Sequence, residues 1–202
     1  MKKTGLLAVL LAAVITAGAF AGCSDKNDDS SKRSRPAVSI SDEPEEPIGS
    51  NVVKGELGKE VTENDTAFTL NSVVSSKNSE TGEQFIYMDI TLRNSTDKAY
   101  NLSTLNNFYI ELPDGKKTDS DVRTQLNAKQ NFKESKYYAD PFDIPSNGQF
   151  SGLIGGFAIS GDVTEFKLGF YPTGDNPRAK GTVIVYDITA ADITAPSSDI
   201  MK

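Results

Sequence analysis

After residue 52 the chain is patterned with a period of two. Gln84 to Arg93 shows it best: Ile86, Met88, Ile90 and Leu92 fall on one face, and Tyr87, Asp89 and Thr91 on the other. Such alternation marks a strand with one face on a core. Phe68 and Leu70 alternate with Thr69 and Asn71; Phe108, Ile110 and Leu112 form another one-sided run; Phe166, Leu168 and Phe170 alternate with Lys167 and Gly169. Thr182 to Ile188 is β-branched enough to be buried on both sides. Gln149 to Ile159 is apolar but carries Gly152, Gly155 and Gly156, which in a strand predict a bulge or a close backbone approach. Asn94-Ser95-Thr96-Asp97 and Pro113-Asp114-Gly115 read as turns. The pattern predicts an all-β fold, an Ig-like antiparallel β-sandwich of about seven or eight strands over residues 52–193. Between Ser120 and Asn131 the spacing of Val122 and Leu126 allows a loop or one short turn of helix capped by Ser120, because Thr124, Asn127 and Asn131 are weak helix formers. Residues 194–202 read as a flexible tail.

The first 51 residues follow a different pattern. Lys2 and Lys3 precede an apolar run from Leu6 to about Ala17, followed by Ala19, Ala21 and Gly22, the layout of a secretory signal peptide. The run sits at the lower limit for a spanning helix, which needs about 20 apolar residues. Cys23, the chain's single cysteine, comes next. Ala21-Gly22-Cys23 resembles the lipobox of bacterial lipoproteins, with Phe20 where an aliphatic residue is favoured. The resemblance implies cleavage after residue 22 and lipidation of Cys23. Several acyl chains hold a protein where one is marginal, at about 0.8 kcal/mol per buried methylene. Ser24 to Asn51 is rich in Asp, Glu, Ser, Lys and Pro, with Val38, Ile40 and Ile48 as its large aliphatics. It cannot offset its own ordering entropy and reads as a disordered tether spanning roughly 30 Å.

Composition narrows the function. The formal net charge is −7 for the whole chain, and loss of the leader's two lysines makes it −9. That balance does not suit nucleic acid, which selects clustered Lys and Arg. There is no His, so the commonest general base and metal ligand is missing, and with Cys23 lipidated, Cys-based zinc, iron–sulfur and thiol chemistry are excluded too. No cofactor is expected.

Three stretches carry a family resemblance: Phe85 to Ser95, a long strand ending in Asn-Ser; Phe108 to Gly115, a strand running into Asp-Gly; and Ile144 to Gly152, a Pro-x-x-Gly turn before a glycine-bearing strand. In this order, behind a lipoprotein leader, they resemble the Ig-like (telokin-like) domains of unknown function in Gram-positive lipoproteins, a fold shared with a secreted mycobacterial immunoprotective antigen. The resemblance implies the sandwich and offers no catalytic residues. Fold alone does not fix function.

The remaining candidates for chemistry are acids and one long connection. Asp119 with Asp121, and Asp140 with Asp143, fit a solvated loop and a turn better than a Ca²⁺ site. Asn64-Asp65-Thr66, Asn94-Ser95-Thr96 and Asn101-Leu102-Ser103 fit turns. The segment Lys116–Tyr138 is mildly basic in an acidic chain and ends in aromatics, a composition suited to recognition from a loop. Its candidate ligand-binding residues are Lys116, Lys117, Arg123, Lys129, Lys133, Tyr137 and Tyr138. The expected protein is therefore not an enzyme but a lipid-anchored, extracytoplasmic binding module, attached to the membrane through its N-terminal lipid, with a protein or envelope glycan as ligand. An accessory subunit of an envelope complex is the alternative, and a carboxylate-dependent glycan hydrolase a remote third.

Overall fold

The computed structural model describes residues 46–78 and 80–202. The leader, Cys23 and the tether as far as Glu45 lie outside the described residues. The order of elements is β1 (Asn51–Lys54), β2 (Val61–Glu63), β3 (Thr66–Asn78), β4 (Glu83–Asn94), β5 (Tyr100–Leu102), α1 (Thr104–Asn107), β6 (Phe108–Glu111), β7 (Lys117–Thr118), α2 (Val122–Asn131), β8 (Tyr137–Tyr138), β9 (Phe142–Ile144), β10 (Gln149–Ser160), β11 (Phe166–Phe170), β12 (Thr182–Ile188) and β13 (Ile193–Thr194).

Two main sheets face each other. One runs β1-β12-β11-β6-β7 and the other β13-β3-β4-β10-β8, with β2 paired to β3; β5 and β9 form a separate two-stranded antiparallel sheet. The alternation of β4 does what its period predicts. Ile86, Met88, Ile90 and Leu92 enter the inter-sheet core with Phe108, Ile110, Leu168, Phe170, Ile184 and Tyr186 from the opposite sheet. The all-β sandwich is thus established, with differences in detail. Among the described residues there are thirteen strands, because two- to four-residue strands are too short to show a period. The long pairings are antiparallel, but the edges add parallel ones: β1 with β12, β8 with β10 and β13 with β3.

Other expectations are corrected. The domain begins before residue 52: Gly49 donates to the Lys180 carbonyl and Asn51 to that of Gly181, so the last tether residues belong to the fold. Residues 194–202 are docked, not a free tail: Met201 bridges Phe132, and the Lys202 N–H reaches the Asn131 carbonyl at 2.9 Å. The segment near 120 is a ten-residue helix whose cap is Asp121, not Ser120; its carboxylate accepts the Arg123 N–H. The buried face of α2 is Thr124 and Ala128, while Val122 and Leu126 are 67% and 59% exposed. The helix forms against its propensities because tertiary packing supplies most helix stability.

That packing is a second, smaller core on the outer face of the β4 sheet. Val74, Phe85, Tyr87 and Leu153 meet Ala128, Phe132 and Tyr137, with Ile200 and Met201 of the tail against them. Tyr87 stands edge-on to Phe132 at 4.9 Å, and its hydroxyl donates to the Thr124 carbonyl at 2.8 Å. Asn127 Oδ1 lies 3.0 Å from the same hydroxyl, a second acceptor for its one proton. The predicted irregularity in β10 joins the same structure. The ladder shifts register between Gly155 and Phe157. The backbone groups freed there are met by α2: Gly156 N–H donates to Thr124 Oγ1 at 2.8 Å, and Asp121 N–H to the Gly156 carbonyl at 2.9 Å. A Cβ on Gly156 would lie 1.8 Å from the Ile86 carbonyl oxygen, so the position requires glycine.

Candidate binding surfaces

The residues of the Lys116–Tyr138 segment are not brought together. Lys116 closes the tight β6–β7 turn, its N–H bonded to Asp114. Lys117 lies on the outer face of the β12 sheet. Arg123 is held in a fork between Glu83 and Asp121, at 2.8 and 2.6 Å. These bonds push the Arg123 pKa up and hold the Asp121 and Glu83 carboxyls below their usual values. Lys129 is exposed on α2, and its carbonyl accepts from Lys202 Nζ. Lys133 Nζ donates to the Ser198 and Asp199 carbonyls, tying the tail. Tyr137 is only 7% exposed and bonds the Gly155 carbonyl; Tyr138, at 40%, closes the sandwich edge against Phe150. Burial pushes the Tyr137 and Tyr87 phenols far up. The aromatics at the segment's end are thus packing groups, and adjacent residues of a strand face opposite sides.

The acids singled out in the sequence are also structural. Asp121 caps α2. Asp140 accepts from Thr104 N–H and Oγ1 at the start of α1, and its own N–H donates to Gln125. Asn64 and Asp65 form the two-residue β2–β3 turn, both at positive φ. Among the described residues no group of three or more His, Cys, Asp or Glu side chains could hold a metal, and no helix is long and apolar enough to cross a membrane.

Two of the concave surfaces on the described residues are lined by residues of the Lys116–Tyr138 segment and by charged groups of both signs. The first is a groove of about 360 Å³ on the outer face of the β12 sheet, where Lys117 lies. Its polar groups already serve one another. Cross-strand partners alternate in sign from Asp187 through Lys167 and Glu111 to Lys117, with Lys167–Glu111 at 3.4 Å, and Lys54, in register with Val185, reaches Asp187 diagonally at 3.0 Å. Lys117 Nζ sits 4.1 Å from the centre of the Tyr109 ring, which lies across Gly169. Desolvation pushes the Tyr109 phenol up to about 12.

The second is a cleft of about 520 Å³ on the outer face of the other sheet, beside the second core. Its floor is Ser72, Asp89 and Ser151; one wall is Ser135 and Lys136, leading into β8, and the other is the tail through Ser197 and Asp199. Lys136 and Asp199 join the walls at 2.7 Å. This bond holds the Asp199 carboxyl below its usual range and raises Lys136, with Asp89 adding a weaker pull on Lys136. Asp89 itself, half-buried, is in no ion pair of the described residues; it accepts one long contact, 3.4 Å from Asn71 Nδ2. The hydroxyls of Ser72, Ser135 and Ser197 likewise have no side-chain hydrogen bond to another described residue. Unfilled hydrogen-bonding capacity converging on a concave space is what distinguishes a binding site from a satisfied surface. Sequence reasoning missed Asp89 and Ser72, which the alternation places only on the outer face of their strands; no sequence signal showed that the tail would fold back to wall them in.

Residues 55–177 match the domain of unknown function DUF4352, well over half the chain. The chain belongs to that family. The solved structures it is similar to include the yjhA protein of Bacillus subtilis, at 10% identity with 67% of this chain and 98% of that one covered and a TM-score of 0.45. A second is ycdA of Bacillus subtilis subsp. subtilis str. 168, described as a lipoprotein candidate, at 14% identity, covering 68% of this chain and 40% of that one, with a TM-score of 0.45. A third is an uncharacterized β-sandwich protein from Clostridium difficile 630, at 12% identity, 72% and 99% coverage and a TM-score of 0.39. The comparison with curated proteins finds no match. The DUF4352 match runs from β2 to β11, including the segment that carries α2, and leaves β1, β12 and β13 outside it.

Proposed function

We propose that this DUF4352 protein is a lipid-anchored binding module of the cell envelope, which holds a ligand in the cleft over the β4 sheet rather than transforming it. The observation that carries this reading is the half-buried Asp89 carboxylate, without an ion-pair partner among the described residues, at the floor of a 520 Å³ cleft. The leader and Cys23 support anchoring outside the membrane, and the acidic tether supports a domain displayed at some distance from it. The cleft is built on three long strands and a docked tail, a frame that suits recognition.

Two experiments divide the reading. Cys23→Ala should move the protein from membranes to the soluble fraction; retention in membranes would remove the lipid anchor from the account. A photo-reactive side chain at Ser135, on the cleft wall, should capture an envelope component in intact cells. An accessory role in an envelope complex is the second reading, favoured by Val122 and Leu126, which stand exposed one turn apart on α2. A stoichiometric protein adduct from Leu126, with none from Ser135, would replace the first reading by the second.

A further inference from the structure

The charges of the cleft specify what it takes. Its lining holds two carboxylates, Asp89 and Asp199, and one ammonium, Lys136. Asp199 takes that ammonium at 2.7 Å, and Lys133, bonded to the neighbouring tail carbonyls, lowers the Asp199 pKa further. Asp199 is therefore compensated twice, whereas Asp89 makes no ion pair among the described residues and shares only the weaker, longer-range pull of Lys136. A neutral ligand entering the cleft would strip water from Asp89 without replacing its counter-charge, which is costly for a carboxylate. A cation would remove that cost and gain charge-assisted hydrogen bonds.

The surroundings of Asp89 fit one kind of cation. Ser72 is its direct cross-strand partner, so both side chains stand on the same face. Ser151 stands on the same face of β10, opposite Thr91, with its hydroxyl 3.1 Å from that of Thr91. A carboxylate flanked by two hydroxyl oxygens offers acceptors in the number that a primary ammonium has N–H donors. Among the described residues no aromatic ring lines the cleft, which disfavours a quaternary ammonium, recognised by aromatic cages. Leu153, Val74 and Ile200 supply an apolar side on which a short carbon chain can rest.

We infer that the cleft binds a small ligand bearing a primary ammonium, with the nitrogen at Asp89, Ser72 and Ser151 and a short apolar body against Leu153 and Ile200. This rests on the reading of the cleft as the binding site and adds the ligand's chemistry. The walls that Lys136 and Asp199 join define the space available, so the ligand is an amine of amino-acid size and not a polymer threaded through it.

The test is calorimetric titration of the full-length chain in detergent micelles with three probes of like shape: butylammonium, 1-butanol and butyrate. Butylammonium should bind with a dissociation constant of about 1 mM, close to what so few atoms can supply. Butanol and butyrate should bind at least about tenfold more weakly. Asp89→Asn, nearly isosteric, should abolish the preference for the amine. Ser72→Ala, which leaves the carboxylate in place, should weaken butylammonium several-fold while keeping its preference over butyrate. Equal affinity for amine and alcohol, preference for butyrate, or no binding of any probe would overturn the inference. An envelope adduct from Ser135 in cells together with a failed amine titration would leave the cleft as binding site and remove only the ammonium.

Discussion

Phe132→Ala separates the two cores. Phe132 is 1% exposed, with its ring centre 4.9 Å from that of Tyr87 and 6.2 Å from that of Tyr137. Deleting a fully buried phenylalanine side chain costs about 3–5 kcal/mol, lost transfer energy plus the cavity left behind. The ring contacts are part of that figure, because every one of them ends on the deleted atoms. The loss should be local. Phe132 packs on the outer face of β4, whereas the sandwich core lies on the inner face and shares no side chain with it. What it holds down is α2 through Ala128 and the tail through Met201. At 1.4 kcal/mol per decade, about 4 kcal/mol is roughly a thousandfold increase in opening. Native-state hydrogen exchange of the full chain, read by mass spectrometry, should show that increase in α2 and in residues 194–202, while the amides of β4 and β12 stay protected. The cleft should be lost with it, since the tail forms one of its walls. An increase below tenfold, or an equal one in β4, would refute the separation of the cores.

Gly156→Ala should destabilise the fold by about 2–4 kcal/mol in urea denaturation, because the new Cβ overlaps the Ile86 carbonyl and moving the strand breaks its bonds to Thr124 and Asp121; a change under 1 kcal/mol would contradict the packing at the bulge. The Lys136–Asp199 bond should open in acid. The folded-state pKa of Asp199 lies below its usual 3.8, so the contribution of the pair is whole above that value and fades as pH falls through the lowered one. NMR shifts of the tail amides should follow this transition, and Asp199→Asn should remove it; a tail that responds alike in the variant would place the titration elsewhere.

The sandwich was legible because its long strands carry their burial in a two-residue period. Ile86 to Leu92 and Phe166 to Phe170 lie where that period puts them. Gly155 and Gly156 likewise announced an irregularity, and the bulge is there. What the period could not show is a second layer. Tyr87 was placed on the outer face, but whether that face meets water or protein depends on distant residues, and its cover comes from α2 and the tail. The helix itself was hidden: Thr124 and Asn127, poor helix formers, bond Gly156 and Tyr87, and the apolar pair that suggested helical spacing points outward. The basic residues of the same segment gave a composition, not a place. Arg123 and Lys133 turned out to hold the structure together, while the group with capacity to spare, Asp89, stood in the middle of the clearest strand.

The measurement that tests the binding account most directly is paired photo-crosslinking in intact cells, from Ser135 on the cleft wall and from Val52 on the uncovered face of the other sheet. Both sites are exposed, so accessibility does not separate them. The account predicts an envelope adduct from Ser135 that is absent from Val52 and is displaced by added butylammonium. Adducts from Val52 with none from Ser135 would contradict it and move recognition to the tyrosine–lysine groove of the opposite sheet.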